Sequence, residues 1–332
     1  MRLELDDDQR ALQASVRALC AEHFPLERTR TWTDRDSFDR GAWRTLAELG
    51  TFVMTRSADE GGAELATVDA GLVYQVLGAE LVPGPLVAAA LASDLIDEVG
   101  TGQLLATVVE RPADGQPAVL RHLGLVDVVL VLDAAGIWRV EPADVDARPV
   151  TSPLDPTTPV WLATRLPQGE RVGDAALAAR WRQRGDVLTS ALLAGIAVKV
   201  IEVAVAYAAQ REQFGRVIGG FQAVKHLLAD GFARAEVARA AVDAAAVTID
   251  EPGGGPDGTA AARAVAGARV VAARAAVANS KTAIQVHGGM GFTWEATPHL
   301  YLKRAWLEEN VFTTPDEAAE LVARTLTAGE AA

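Results

Sequence analysis

Between residue 6 and about residue 100 the apolar positions recur at helical spacing. Leu12, Val16 and Leu19 share one face of a segment that Asp7 or Asp8 is placed to cap. Trp43, Leu46 and Leu49 form a second stripe closed by Gly50. Val68 to Leu81 predicts a third helix, which Pro83-Gly84-Pro85 breaks, and Asp59-Glu-Gly-Gly62 reads as a loop. Near residue 103 the period changes. Leu104 to Val109, Ala118 to Leu120, Val126 to Leu132, Ile137 to Val140 and Val160 to Ala163 are short runs that predict strands. Turn residues such as Asp133-Ala-Ala-Gly136 and the Pro153-Leu-Asp-Pro-Thr157 stretch separate them. From about Asp174 the helical period returns. Asp186 to Gln210 is apolar on nearly every face, as in a helix buried within a bundle. Phe221 to Ile249, Thr259 to His287, Glu295 to Asn310 and Pro315 to Leu326 follow, with a loop over Glu251 to Gly258. The pattern contains no internal repeat. It predicts a mainly α protein with a small β domain: a helical domain over 1–102, a β domain over 103–173 and a helical bundle over 174–332.

A chain of 332 residues has room for two or three packed units and buries a core without staples. The formal charge of -13 excludes wrapping a polyanion such as nucleic acid, although a local positive site can still hold a cofactor's phosphates. Cys20 is the single cysteine, so an intrachain disulfide is excluded and a cysteine zinc site is not expected. The scattered histidines give no metal pattern. The acidic N-terminus lacks a signal-peptide apolar core, and no uninterrupted apolar run reaches membrane-spanning length. The expectation is a cytoplasmic protein acting away from membranes.

Two segments combine polar clusters with glycines at helix boundaries. In the first, Arg211 ends a long helix, and Gly215 and Gly219-Gly220 permit a tight reversal before Phe221. An arginine beside exposed backbone amides suits a phosphate; taken alone, it equally suits a helix–turn–helix whose arginine bonds helix-end carbonyls. In the second, His287-Gly-Gly-Met-Gly291 follows a helix rather than a strand, so it is no Rossmann fingerprint. Its glycines allow close backbone approach to a ligand or simply end the helix. His287 reads as a packing or hydrogen-bonding residue.

Together the segments point further. Arg211-Glu-Gln-Phe-Gly-Arg-Val-Ile-Gly-Gly-Phe-Gln-Ala-Val-Lys-His226 is followed, about 60 residues on, by Gln285-Val-His-Gly-Gly-Met-Gly-Phe292. This order and spacing resembles the C-terminal bundle of the acyl-CoA dehydrogenase family. Asp59-Glu-Gly-Gly62, Asp69, Leu77-Gly78 and Pro83-Gly-Pro85 resemble that family's first helical domain. The resemblance implies FAD held across a subunit interface. Arg211, Gln213 and Phe214 would meet its pyrophosphate and adenosine side, with Gln222 a further contact. Gln285, Gly288 and Gly289 would meet the ADP half from the neighbouring subunit. It also implies an acyl-CoA substrate, α,β-dehydrogenation, and an electron-transfer flavoprotein as a candidate acceptor.

Two departures qualify that expectation. The family's catalytic glutamate falls, ungapped from Gly288, on Phe312, and Val311-Phe-Thr-Thr-Pro315 replaces the usual run. Some relatives carry the glutamate on the buried helix that leads to the arginine. Here that stretch offers only Asp186, which reads as a helix cap. Glu308, Glu309 and Asp316 are the nearest alternative bases; the first two read as a solvated helix end. The family's flavin-ring loop in the β domain has only the remnant Val109-Glu-Arg-Pro-Ala-Asp-Gly-Gln116. Three hypotheses remain open: an enzyme with a relocated base, a non-catalytic subunit that completes the FAD site of a homologous partner, or a different reaction on the same scaffold, such as oxidation of a carrier-bound acyl group.

Overall fold

The computed structural model describes residues 5–32, 37–113, 116–255 and 258–329. Asp114-Gly115 of the remnant loop and Pro256-Asp257 of the loop over 251–258 lie outside the described residues. The chain forms two compact units from discontinuous stretches. One comprises Met1–Arg17, Gly71–Leu81 and Asp186–Ala332; the other comprises Ala18–Ala70 and Val82–Gly185.

The first helices are α1 (Asp7–His23), α2 (Leu26–Thr29), α3 (Arg40–Glu48), α4 (Thr67–Ala79), α5 (Leu86–Ala92) and α6 (Asp97–Gly100). Asp6, rather than Asp7 or Asp8, caps α1. Its carboxylate accepts from Gln9 N at 2.8 Å, and Gln9 Oε1 accepts from Asp6 N at 3.2 Å. This reciprocal box satisfies two helix-end donors, and the acidic pair after it favours the positive end of the helix dipole. Asp39 caps α3 through Gly41 N and Ala42 N, and Gly50 (φ 84°) follows its end as expected.

The strands are β1 (Ala106–Glu110), β2 (Ala118–Arg121), β3 (Val128–Asp133), β4 (Gly136–Val140), β5 (Ala147–Pro149), β6 (Val160–Ala163) and β7 (Glu170–Asp174). They form two sheets, ordered β1-β3-β4-β7 and β2-β6-β5; β1 and β3 are parallel, and the remaining pairs are antiparallel. β3 is buried almost throughout, which explains its unbroken apolar run. β5 and β7 went unpredicted because both are edge strands: β7 is Glu-Arg-Val-Gly-Asp, and β5 carries a proline.

The helical unit centres on α7 (Ala175–Gln210), α8 (Gln222–Asp250), α9 (Thr259–His287), α10 (Pro298–Glu308) and α11 (Pro315–Gly329). α10 starts later than the sequence suggests because Pro298 occupies its first turn. Asp174, the residue before α7, caps it: its carboxylate accepts from Leu177 N at 2.7 Å. By length and composition α7 could cross a membrane, yet 78% of its most apolar window is buried within the protein.

Gly78 of α4 and Gly195 of α7 let two backbones touch. A Cβ on Gly78 would lie 2.1 Å from Leu192 O, and one on Gly195 would lie 1.9 Å from Gln75 O. Buried Asn279 of α9 staples three helices: its Nδ2 donates to Ala197 O of α7 at 3.0 Å and Gly231 O of α8 at 2.8 Å, and Arg234 Nε donates to its Oδ1 at 2.9 Å.

Candidate functional site

The chain leaves α7 at Gln210, and Arg211 begins a short hairpin, β8 (Glu212–Gln213) against β9 (Arg216–Val217). The turn residues Phe214 and Gly215 have φ of 56° and 76°. A two-residue turn with both φ positive matches the twist of the strands it joins, at a steric cost for any residue other than glycine. Phe214 bears that cost with its ring 93% exposed. Ile218 N donates to Arg211 O at 2.8 Å, tying the hairpin to the helix end. The Arg216 guanidinium stacks 3.9 Å above Phe221. Arg211, Gln213 and Gln222 are all exposed. The sequence showed a reversal here without revealing the hairpin.

α9 ends at His287, and Gly288 adopts φ 60°, ψ -140°. A Cβ on Gly288 or Gly289 would meet nothing within 4 Å, whereas one on Gly291 would lie 2.7 Å from Ile284 O. The first pair of glycines therefore opens space above the backbone, and Gly291 serves packing. Gln285, Gly288 and Gly289 are exposed. His287 is buried, its Nδ1 donating to Ala283 O at 2.8 Å; its ring stacks on Tyr207, with centroids 4.0 Å apart. Burial pushes its pKa down, outweighing the carbonyl bond, so the imidazole is neutral. This stack joins the ends of α7 and α9 and brings both glycine-bearing segments to one end of the bundle. An exposed arginine, amide side chains and unobstructed glycines there fit the ADP half of FAD.

The segment after α10 is built differently. Arg269 of α9 is fully buried. Its Nη2 donates to Glu308 O and Val311 O, and its Nε to Thr313 O, each at 2.7 Å. One guanidinium thus caps the carbonyl end of α10. Asp186 is no cap: it lies inside α7, buried, and accepts from Thr313 N at 3.1 Å and Thr313 Oγ1 at 2.6 Å. Arg269 Nε stands 3.7 Å from its carboxylate. Asp186 is therefore a structural anion held by a buried cation and two donors.

Phe312, half-buried, sits in this clamped loop at φ 56°. Glu308 is buried, which corrects the solvated reading of that residue. Glu309 is half-buried; burial raises its pKa, against the pull of Arg269 and Lys281, and Asp316 raises it further. Asp316 is exposed in the first turn of α11. Sequence reasoning missed Arg269 and Thr313. The signal for Arg269 was available: a lone charge on the apolar stripe of Val265, Ala272 and Ala276.

In the other unit, the described residues of the remnant loop turn their charges onto their own surroundings. Glu110 pairs with Arg182. Arg111 donates to Asp133 Oδ2 at 3.2 Å, Leu166 O at 3.2 Å and Pro167 O at 3.1 Å. Arg111 and these three partners border a polar cleft of about 1010 Å³ that also meets Trp138, Asp144 and Arg165.

Comparison with known proteins identifies the family of the chain. The model of the acyl-CoA dehydrogenase N-terminal domain matches residues 6–116, and that of the acyl-CoA dehydrogenase C-terminal domain matches residues 183–325. The acyl-CoA dehydrogenase IpdE2 of Mycobacterium tuberculosis is 31% identical over 319 residues, covering 94% of this chain and 95% of its own. The acyl-CoA dehydrogenase FadE34 of the same organism is 36% identical over 295 residues, 80% of this chain but only 39% of the longer relative. Among solved structures, the ChsE4-ChsE5 complex of Mycobacterium tuberculosis superposes with a TM-score of 0.80 at 21% identity, covering 98% of this chain and 99% of that one. The chain belongs to the acyl-CoA dehydrogenase family, whose members are FAD-linked oxidoreductases acting on a CH–CH bond.

Proposed function

We propose that this chain is one subunit of a cytoplasmic hetero-oligomeric, FAD-dependent acyl-CoA dehydrogenase, and that it completes the flavin site of a homologous partner without supplying the base. The carrying observation is the contrast within the helical unit. Arg211, Gln213, Gln285, Gly288 and Gly289 are exposed and open, while the family's base position reads Phe312 in a loop clamped by Arg269 and Asp186. Bound flavin would supply the hydride acceptor. In this chain Arg211 would neutralise pyrophosphate charge, the glycines would admit the ADP half, and Phe214 would face the adenosine. The resemblance to a two-chain complex supports the hetero-oligomer. Family membership supports an acyl-CoA substrate and an electron-transfer flavoprotein as the acceptor.

The raised pKa of half-buried Glu309 favours a second reading, a self-sufficient enzyme with Glu309 as general base. Visible absorbance and native mass separate the two. Purified alone, the chain is expected to be colourless or aggregated, and to become yellow and soluble with a co-expressed homologue, at one flavin per pair of chains. A yellow homo-oligomer with one flavin per chain, bleached by an acyl-CoA and inactivated by Glu309→Gln, would overturn the first reading and establish the second.

A further inference from the structure

Exposed apolar side chains are distributed unevenly between the two units. Among the described residues, the exposed large aromatic side chains are Phe214, Phe232, Phe292 and Trp294, and all four belong to the helical unit. The large apolar side chains exposed in the other unit, Leu49, Leu65, Val119 and Leu154, are aliphatic and scattered along the sequence. That is the ordinary condition of a protein surface. Three of the four aromatics sit in or just after the two glycine-bearing segments. Phe214, at the tip of the β8–β9 hairpin, is 93% exposed; Phe292 and Trp294, beyond α9, are 72% and 59% exposed. Met290, 47% exposed, stands beside them in the second segment.

Local bonding fixes these side chains outside. Buried Gly291 packs against the end of α9, and Met290 and Phe292 stand exposed on either side of it. Thr293 secures the arrangement, its N and its Oγ1 both donating to Met290 O at 3.0 Å. Trp294 meets the buried His299 ring edge-on, with centroids 5.2 Å apart, and Lys303 Nζ lies 4.9 Å from its ring centre. Phe214 keeps its place at the hairpin tip at φ 56°. Exposed apolar side chains grouped at one end of a molecule and rimmed by polar groups mark an interaction surface. Met and aromatic residues are the types enriched where two proteins meet.

We infer that the homologous partner subunit docks on these side chains, with Met290 and Phe292 as its main apolar contacts. This inference rests on the subunit reading above. The occupant follows from chain connectivity. Phe214 directly follows Gln213, and Met290 directly follows Gly289; consecutive Cα atoms are about 3.8 Å apart. A chain that lays its flavin against Arg211, Gln213, Gly288 and Gly289 therefore covers Phe214 and Met290 as well. Burial of the apolar side chains supplies the association, and the polar motif residues around them fix its register. A lipid surface is a poor match, because a net charge of -13 is repelled by anionic headgroups. Docking so close to the flavin contacts couples the two events: partner and flavin each strengthen the binding of the other.

The test uses the full-length chain co-expressed with its homologue. Met290→Ser combined with Phe292→Ser should raise the dissociation constant of the hetero-oligomer at least tenfold, read from native mass on dilution, with flavin lost in parallel. Phe292→Leu, which keeps an apolar contact, should stay close to the wild type. Val119→Ser combined with Leu154→Ser, in the other unit, should change neither mass nor flavin content. A measurement on the wild-type chain needs no variant to fold. Peroxide should oxidise Met290 at least tenfold more slowly in the hetero-oligomer than in the chain dissociated by dilution, with buried Met54 as the internal reference. An unchanged dissociation constant in the double variant, or equal oxidation of Met290 in both states, would overturn this inference alone. A yellow homo-oligomer of the wild-type chain would overturn the subunit reading, and with it the choice of occupant.

Discussion

At the hairpin end of the helical unit, Arg211, Gln213 and Gln285 face outward around glycines with open space above them. Near the start of the core stretch of α7, Asp186 and Arg269 are sealed inside and tie down the loop carrying Phe312. The 25 residues from Asp186 to Arg211 correspond to about 37 Å of helix rise. The first region faces solvent, with Gln213 Nε2 donating locally to Glu212 O at 2.7 Å; the second consumes its donors internally. A ligand end can tolerate exposed charge because water solvates it until the ligand arrives, whereas a buried charge must be paired at every moment.

Removing Arg269 should break this contrast most severely. Arg269→Ala strips the carbonyl end of α10 and leaves Asp186 without its cation, so a loss of about 3–5 kcal/mol is expected from denaturant unfolding. Asp186→Leu combined with Arg269→Met should be far milder than the sum of the single changes, as a double-mutant cycle would show. Additive losses would mean that the two do not act as a pair.

Arg211→Ala should do the opposite: leave stability unchanged and weaken flavin binding by about 1.5–3 kcal/mol, the range of a charge-assisted hydrogen bond. Unchanged FAD affinity in the assembled complex would sink the assignment of the exposed end.

A smaller effect is expected from pH. The folded His287 binds its proton less readily than the unfolded chain does, whose value is near 6.5. The unfolded state thus holds more protons in the window below that value, and stability falls as pH drops through it. Because His287 clips the ends of α7 and α9 together through Tyr207, flavin retention should weaken over the same window. His287→Gln should abolish that pH dependence.

Asp243 gives the smallest and opposite slope. Burial raises its pKa above the ordinary 3.8 despite the bond from Gln75 Nε2 at 2.9 Å. The folded state holds the proton longer, so stability declines as pH rises from below 3.8 through the folded value. Asp243→Asn should flatten that limb and slightly stabilise the protein at neutral pH; a steeper limb would show that the carboxylate is favourably paired.

Much of the fold was legible because period and punctuation are local properties. α9 runs over Thr259–His287 as its pattern predicts, and β2, the shortest predicted run, is a strand. Edge strands β5 and β7 were hidden because neither has a buried face on both sides to impose a pattern. At the candidate site, residue types and spacing singled out Arg211, Gln285 and the glycines as the proposed flavin contacts. The spacing could not reveal that Asp186 meets Thr313, 127 residues away in sequence.

By itself the sequence determined the succession of helical, β and helical segments, the family, and the residue types standing at each motif position, because these follow from neighbours along the chain. Only the tertiary structure decided that Asp186 and Glu308 are buried, that Arg269 caps α10, and that the Tyr207–His287 stack unites the two glycine segments. Burial and pairing depend on what the rest of the chain brings within a few ångströms, and no single segment carries that information.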